Sequence, residues 1–171
     1  MGQLEGRVAV ITGGARGQGR SHAVTLAAEG ADIVLCDISE PIGSVPYPLS
    51  SEDDLAQTVE LVEETGRRCV AVQTDVRSRT AMDGLAERAV AEFGRIDILL
   101  ANAGIASGAT VAAMDQQMWQ DMIDVDLTGV FHSFRAVLPH MIERRWGRIV
   151  ATSSIVGRMG AANSGHYAAA K

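Results

Sequence analysis

The sequence predicts an α/β fold in which a doubly wound parallel sheet is flanked by helices, all within one domain. Three observations predict it. Short, apolar, β-branched runs alternate with helical patterns along the whole 171 residues. Those runs are apolar at consecutive positions, as in strands covered on both faces. A glycine-rich turn, TGGARGQGR at residues 12–20, separates the first run from the first helical pattern. Right-handed crossovers between parallel strands then give the doubly wound arrangement.

The elements follow in order. RVAVIT (7–12) is a buried strand, and GRSHAVTLAAEG (19–30) a helix closed by Gly30. ADIVLCD (31–37) is the second strand. LAQTVELVEETG (55–66) is a helix whose Leu55, Val59 and Val62 share a face, with Ser51 and Asp54 spaced for a capping box. RCVAVQTD (68–75) is the third strand. TAMDGLAERAVAEFG (80–94) is a helix with Met82, Leu85, Ala89 and Phe93 on one side. RIDILLANAG (95–104) is a strand running into a second glycine turn, and a long helix is expected from about Asp115 to Arg144. GRIVATSS (147–154) is the fifth strand, and SGHYAAAK (164–171) opens another helix. No repeat or linker interrupts the pattern.

Composition narrows the function. The chain is 47% hydrophobic and 21% charged, with a net charge of −6. An acidic surface argues against nucleic acid or an anionic membrane as partner. No run approaches the ~18 apolar residues of a membrane span. The start, MGQLEGRVAV, lacks the layout of a signal peptide, so the expected location is the cytoplasm. Cys36 and Cys69 fall in apolar strands and read as buried free thiols, and no CxxC spacing suggests a metal site. His22 reads as a surface residue, His132 and His140 suggest no metal site, and Trp119 and Trp146 read as packing at helix ends.

The chemistry begins at Gly13, Gly17 and Gly19. Missing side chains let the backbone turn sharply and let a bulky anion approach its N–H groups, while the following helix points its positive end at the same place. A dinucleotide pyrophosphate is the natural occupant. Asp37, closing the second strand, is placed to accept hydrogen bonds from both ribose hydroxyls, which favours NAD over NADP. Arg16 is a cation that near the ribose would favour a 2′-phosphate instead. Asp75, closing the third strand, reads equally as a partner for the adenine amino group or as a cap for the next helix.

The pattern Thr12-Gly13-x-x-x-Gly17-x-Gly19 resembles the short-chain dehydrogenase/reductase family. Three more motifs match in order. ANAG (101–104) resembles that family's NNAG turn, Ser154 lies 13 residues before Tyr167, and YAAAK (167–171) matches YxxxK. The resemblance implies a Rossmann-type domain over 1–171 and a cofactor site of Gly13, Arg16, Gly17, Gln18, Gly19, Asp37, Asp75, Val76, Asn102, Ala103 and Gly104. Tyr167 and Lys171 join that site at the nicotinamide ribose. The stretch from Asp37 to Arg68 resembles the mycofactocin-coupled, carveol-dehydrogenase-like subgroup. Its connection after the second strand, 38–50, carries Pro41, Pro46 and Pro48 among Ile42, Val45, Tyr47 and Leu49. Loops this long are usually functional or disordered, and this composition favours an ordered lid over the adenosine half. The subgroup implies that the lid retains the cofactor, which an external redox carrier regenerates in place.

The expected reaction is hydride transfer between NAD(H) and a secondary alcohol or ketone, terpenoid in the subgroup. A free tyrosine has a pKa of about 10 and is a poor base near neutrality. Tyr167 and Lys171, four apart on a helix, face the same way, and a nearby ammonium favours the phenolate. Tyr167 is then the general base, Lys171 its partner, and Ser154 the donor that holds the substrate oxygen. Asp126, in DVDLTGVF, stands where the family usually carries the Asn of a proton relay; its charge would draw on Lys171 and shift proton release. The family also implies a longer chain, with further strands after Lys171 that shape the substrate pocket, and a homotetramer built through the long helix and the Tyr/Lys helix. The rival reading is a catalytically silent NAD-binding module.

Overall fold

Five strands, Val8–Thr12 (β1), Asp32–Asp37 (β2), Cys69–Gln73 (β3), Ile98–Ala101 (β4) and Arg148–Ala151 (β5), form one parallel sheet in the order β3-β2-β1-β4-β5. The structure is a computed structural model and describes residues 2–171. Helices Gly17–Ala28 (α1), Glu52–Glu63 (α2) and Arg79–Phe93 (α3) connect the first four strands. The register runs Val8 to Asp32 between β1 and β2, and Ala9 to Ile98 between β1 and β4.

The consecutive apolar runs have a direct cause. Along β1, Ala9 and Ile11 face one layer while Val8 and Val10 face the other, and all four are buried. The first layer packs Ala23 and Ala27 of α1 and Leu55 and Val62 of α2. The second packs Met82, Leu85 and Ala89 of α3 with Val137 and Met141 from the helix before β5. Each fully buried Ile, Leu or Met contributes about 1.5–3 kcal/mol. The expected capping box at α2 is present: Ser51 Oγ accepts from Asp54 N, and Asp54 Oδ2 accepts from Ser51 N.

The structure departs from the sequence expectation in four places. The single long helix is two α-helices, Gln116–Ile123 (α4) and Gly129–Glu143 (α5), joined by a π-helical turn at Asp124–Thr128. Such a turn admits one extra residue and often marks a functional site; Asp126 lies within it. A four-residue helix, Val156–Met159 (α6), precedes the final helix Gly165–Ala170 (α7). β3 and β5 lie at the edges of the sheet; Cys69, expected to be buried, is half-buried, and Val150 is exposed. Burial pushes the Cys69 thiol up to about 12 and the Cys36 thiol higher still, so both are inert. Trp119 is partly exposed rather than packed, and Trp146 lies under the Arg7 and Arg148 guanidiniums.

Segment 38–50 has no helix or strand but is well anchored. Ile42 is buried, and Ile38, Val45 and Leu49 pack against the same core layer. Ser44 Oγ donates to Asp121 Oδ2 at 2.7 Å, and Tyr47 Oη accepts from Ala106 N at 2.8 Å. Arg16 donates to Pro48 O at 2.6 Å, and Ser50 Oγ donates to Asp37 Oδ1.

Candidate active site

The glycine turn, the second glycine turn and segment 38–50 enclose one cleft, of about 270 Å³, at the C-terminal ends of the strands. This is where open parallel sheets bind ligands. Gly13 and Gly17 hold φ of +66° and +55°, which favours glycine at both. A side chain on Gly19 would run into the Gly13 carbonyl, so glycine here is what lets α1 start against the turn. Gly17 lines the cleft with open space where a side chain would stand, and the first amides of α1 have no acceptor within the helix. The second turn is braced onto the first. Asn102 Nδ2 donates to Thr12 O and Gly13 O, and Thr12 Oγ1 accepts from the Asn102 and Ala103 amides.

Of the expected cofactor residues, Gly13, Arg16, Gly17, Asp37, Asp75, Val76, Asn102, Ala103 and Gly104 line the cleft. Gln18 is exposed and lies outside that lining; Gly19 is buried behind it. Asp37 Oδ2 accepts from Ala15 N at 3.0 Å, and its Oδ1 accepts from Ile38 N and from Ser50. Arg16 Nη2 donates to Pro48 O in segment 38–50. Asp75 does not cap α3; Ser78 does, accepting from Ala81 N. Instead Asp75 holds Arg77, which reaches on to Asp121 at 3.1 Å, where Ser44 of segment 38–50 is also bound.

Gly104 and Ile105 line the cleft, and a second cluster lies next to Gly104. A Cβ on Gly104 would meet Lys171 Nζ at 3.2 Å and Asp126 Oδ2 at 3.3 Å. Lys171 Nζ lies 3.3 Å from Asp126 Oδ2, donates to Thr152 O at 3.1 Å, and sits 5.8 Å from the Tyr167 ring centre. Asp126 Oδ1 accepts from Ile105 N at 2.8 Å. Burial pushes the Asp126 carboxyl above the usual carboxylate range, only partly offset by the Ile105 amide and Lys171. Ser154 follows β5, and its Oγ accepts from Val156 N at 3.2 Å rather than engaging Tyr167. Among the described residues no cluster suited to a metal ion occurs, and no helix is long and apolar enough to cross a membrane.

One residue of this region escaped the sequence reading. His166, next to Tyr167, is fully buried, with Nε2 2.8 Å from Ser107 Oγ. Its available signal was periodicity: it shares a buried helix face with Ala170, four residues on. Of the other histidines, His22 is half-buried and His132 Nδ1 lies 3.1 Å from Val76 O, a contact between α5 and the loop before α3.

The sheet order and glycine turn define an α/β protein of the dinucleotide-binding type. Residues 7–171 match the short chain dehydrogenase family model. The chain belongs to that family. It is 46% identical, over its full length, to the (−)-trans-carveol dehydrogenase of Rhodococcus erythropolis. Among solved structures it resembles the carveol dehydrogenase of Mycobacterium avium in complex with NAD, with TM-score 0.96 and 48% identity over 99% of this chain. It also resembles a short chain dehydrogenase of Mycobacterium paratuberculosis bound to NAD, with TM-score 0.96 and 43% identity over 99% of this chain. The chain spans about 62% of the first two proteins' length and 63% of the third's.

Proposed function

We propose that this chain carries the cofactor site and catalytic residues of an NAD-dependent oxidoreductase acting on a secondary alcohol or ketone of terpenoid, carveol-like type. The observation that carries the reading is Gly104. It lines the cleft, and a Cβ on it would meet Lys171 Nζ at 3.2 Å and Asp126 Oδ2 at 3.3 Å, so the cleft borders the Lys171–Asp126 pair.

The residues fit the cofactor. The open space at Gly17 and the free first amides of α1 suit a diphosphate. Asp37 keeps acceptor capacity for a ribose hydroxyl, and its charge would repel a 2′-phosphate. Arg16, the one cation that would argue for NADP, is engaged by Pro48. When bound, the nicotinamide supplies the hydride acceptor or donor. The chain's own residues handle the proton: Tyr167 takes it from the substrate hydroxyl, with Lys171 Nζ 5.8 Å from its ring centre, and Ser154 donates to the substrate oxygen. Asp126 draws on the Lys171 ammonium from the far side.

The lid anchors support retention of the cofactor between turnovers, with an external redox carrier of mycofactocin type restoring it. The family also suggests a tetramer built through α5 and α7.

Turnover of a secondary alcohol with an artificial electron acceptor tests the reading. Tyr167→Phe should lower kcat by about 10²–10⁴-fold, the usual contribution of a general base, while NAD binding persists. Binding without turnover, unchanged in the Phe variant, would mean a silent NAD-binding module. Heat-denatured protein should release stoichiometric NAD(H); an empty supernatant rules out retention.

A further inference from the structure

Residues 105–109, between β4 and α4, contact the surrounding site four times in five residues. Ile105 N donates to Asp126, and Ala106 N donates to the lid's Tyr47. Ser107 Oγ meets His166 Nε2, and Ala109 N donates to Asn163 O at 2.9 Å, just before α7. Two of these contacts hold α7, the short helix that carries Tyr167 and Lys171.

The neighbours of α7 are α6, α4 and the π-turn. Its own side chains make two polar contacts to other side chains, Lys171 to Asp126 and His166 to Ser107. The second leaves a buried ring nitrogen without a partner. His166 is fully buried, and its Nδ1 has no hydrogen-bond partner. A neutral imidazole has one donor and one acceptor. An orphaned N–H is the rarer and more costly defect. The proton therefore belongs on Nε2, donated to Ser107 Oγ, with only a lone pair left orphaned at Nδ1. Burial also lowers the His166 pKa, against the pull of Asp126, which keeps the ring neutral. A leucine or phenylalanine would fill such a site without an orphan. What the histidine adds is a directional bond from the residue preceding Tyr167.

We infer that His166 is a positioning residue: through its bond to Ser107 it fixes α7 so that Tyr167 and, just after the helix, Lys171 keep their places. The inference rests on the reading of Tyr167 as the proton-transferring group. The same loop holds the lid through Ala106, so lid and catalytic helix are set from adjacent residues.

The test uses Ser107→Ala, His166→Phe and His166→Gln in the full chain. The glutamine side chain carries an amide donor that can stand where Nε2 stood. The first readout is amide hydrogen exchange. Ser107→Ala should speed exchange at Tyr167–Lys171 by about tenfold with β1 and β4 unchanged, and His166→Gln should keep parental protection. The second readout is kinetic. Ser107→Ala and His166→Phe should each lower kcat about tenfold or more with KM and NAD binding within twofold, as misplacement of a reacting group does. Their double variant should lose no more than the worse single one. Parental exchange in Ser107→Ala overturns the inference. So does faster exchange with parental kcat, which would make the bond structural only. If His166→Phe fails to fold, Ser107→Ala still decides, because it leaves the buried ring in place. Tyr167→Phe separates the two readings: parental turnover there sinks the proposed function, whereas loss there with parental Ser107→Ala sinks only the role of His166.

Discussion

Two buried aspartates flank β4, and their surroundings differ. Asp97, just before the strand, accepts from Val8 N, from Arg95 through both oxygens at 2.6 Å, and from Arg7 at 3.2 Å. Burial pushes its carboxyl up, but these partners outweigh burial and hold it below the usual range. Asp126, beyond the strand's other end, has the Ile105 amide and one lysine 3.3 Å away, and its Oδ2 makes no aligned hydrogen bond. There burial wins, and the carboxyl is pushed up. The N-terminal ends of the strands are thus satisfied electrostatically, whereas the C-terminal ends, where the cleft lies, keep an under-satisfied charge. Perturbed carboxylates of this second kind cluster at functional sites.

The largest expected effect follows from the satisfied end. Asp97→Asn keeps an acceptor for Val8 but strips two guanidiniums of their partner, and should cost about 3 kcal/mol, the low end for breaking a buried pair, since both arginines remain partly hydrated. Urea unfolding measures it. The sign with pH is set by the lowered carboxyl. Its contribution is fully present above the ordinary carboxylate value, about 4, and is lost as pH falls through the lower folded value. The Asn variant should therefore lose less stability than the parent in that acid window. A cost under about 1 kcal/mol would mean the arginines are satisfied by water and the contrast is only apparent.

Asp126→Asn should behave in the opposite sense. A raised carboxyl means that the folded state holds its proton more tightly than the unfolded one. Stability therefore falls as pH rises from the ordinary value, 3.8, through the raised one. The amide removes that slope and should leave stability at neutral pH within about 1 kcal/mol of the parent, or above it. It also frees Lys171 from a second charge, so the pH dependence of turnover should move while NAD binding does not. Denaturant midpoints at pH 5 and pH 7, with a pH–rate profile, check both. If Asp126→Asn proves as costly as Asp97→Asn, the two ends are not different in kind.

The satisfied parts were also the most legible in sequence. The capping box at Ser51, the glycine turn and the strand order follow from local rules: a hydroxyl three residues from a carboxylate, missing Cβ atoms between strand and helix, and right-handed crossovers. An ordered 38–50 segment was legible too, because prolines and spaced apolar residues favour packing over disorder. What stayed hidden was long-range or depended on one residue of helical phase. Amphipathic periodicity cannot distinguish an α-helix from one with a π-turn at 124–128, where a single extra residue is absorbed. His166 looked like part of a small-residue helix because its partner, Ser107, lies 59 residues away. Asp75 was read as a possible helix cap because its link through Arg77 runs on to Asp121, 44 residues beyond Arg77.

The smallest effect tests whether the lid belongs with the loosely held end. Tyr47 is 39% exposed, and its hydroxyl accepts from Ala106 N at 2.8 Å. In Tyr47→Phe the freed amide is also exposed, so water replaces the lost acceptor, and global stability should change by no more than about 0.5 kcal/mol. The lid is held elsewhere by Ile42 in the core and Ser44 on Asp121, so it should stay ordered. Its opening, however, no longer breaks that bond. A surface hydrogen bond worth about 1 kcal/mol corresponds to roughly fivefold, and NAD should leave the Phe variant faster by about that factor. Rapid gel filtration followed by an assay of retained NAD(H) measures this. Parental retention would place the lid's hold in its buried anchors alone, as at the Asp97 end, and would remove Tyr47 from any coupling between the lid and the catalytic helix.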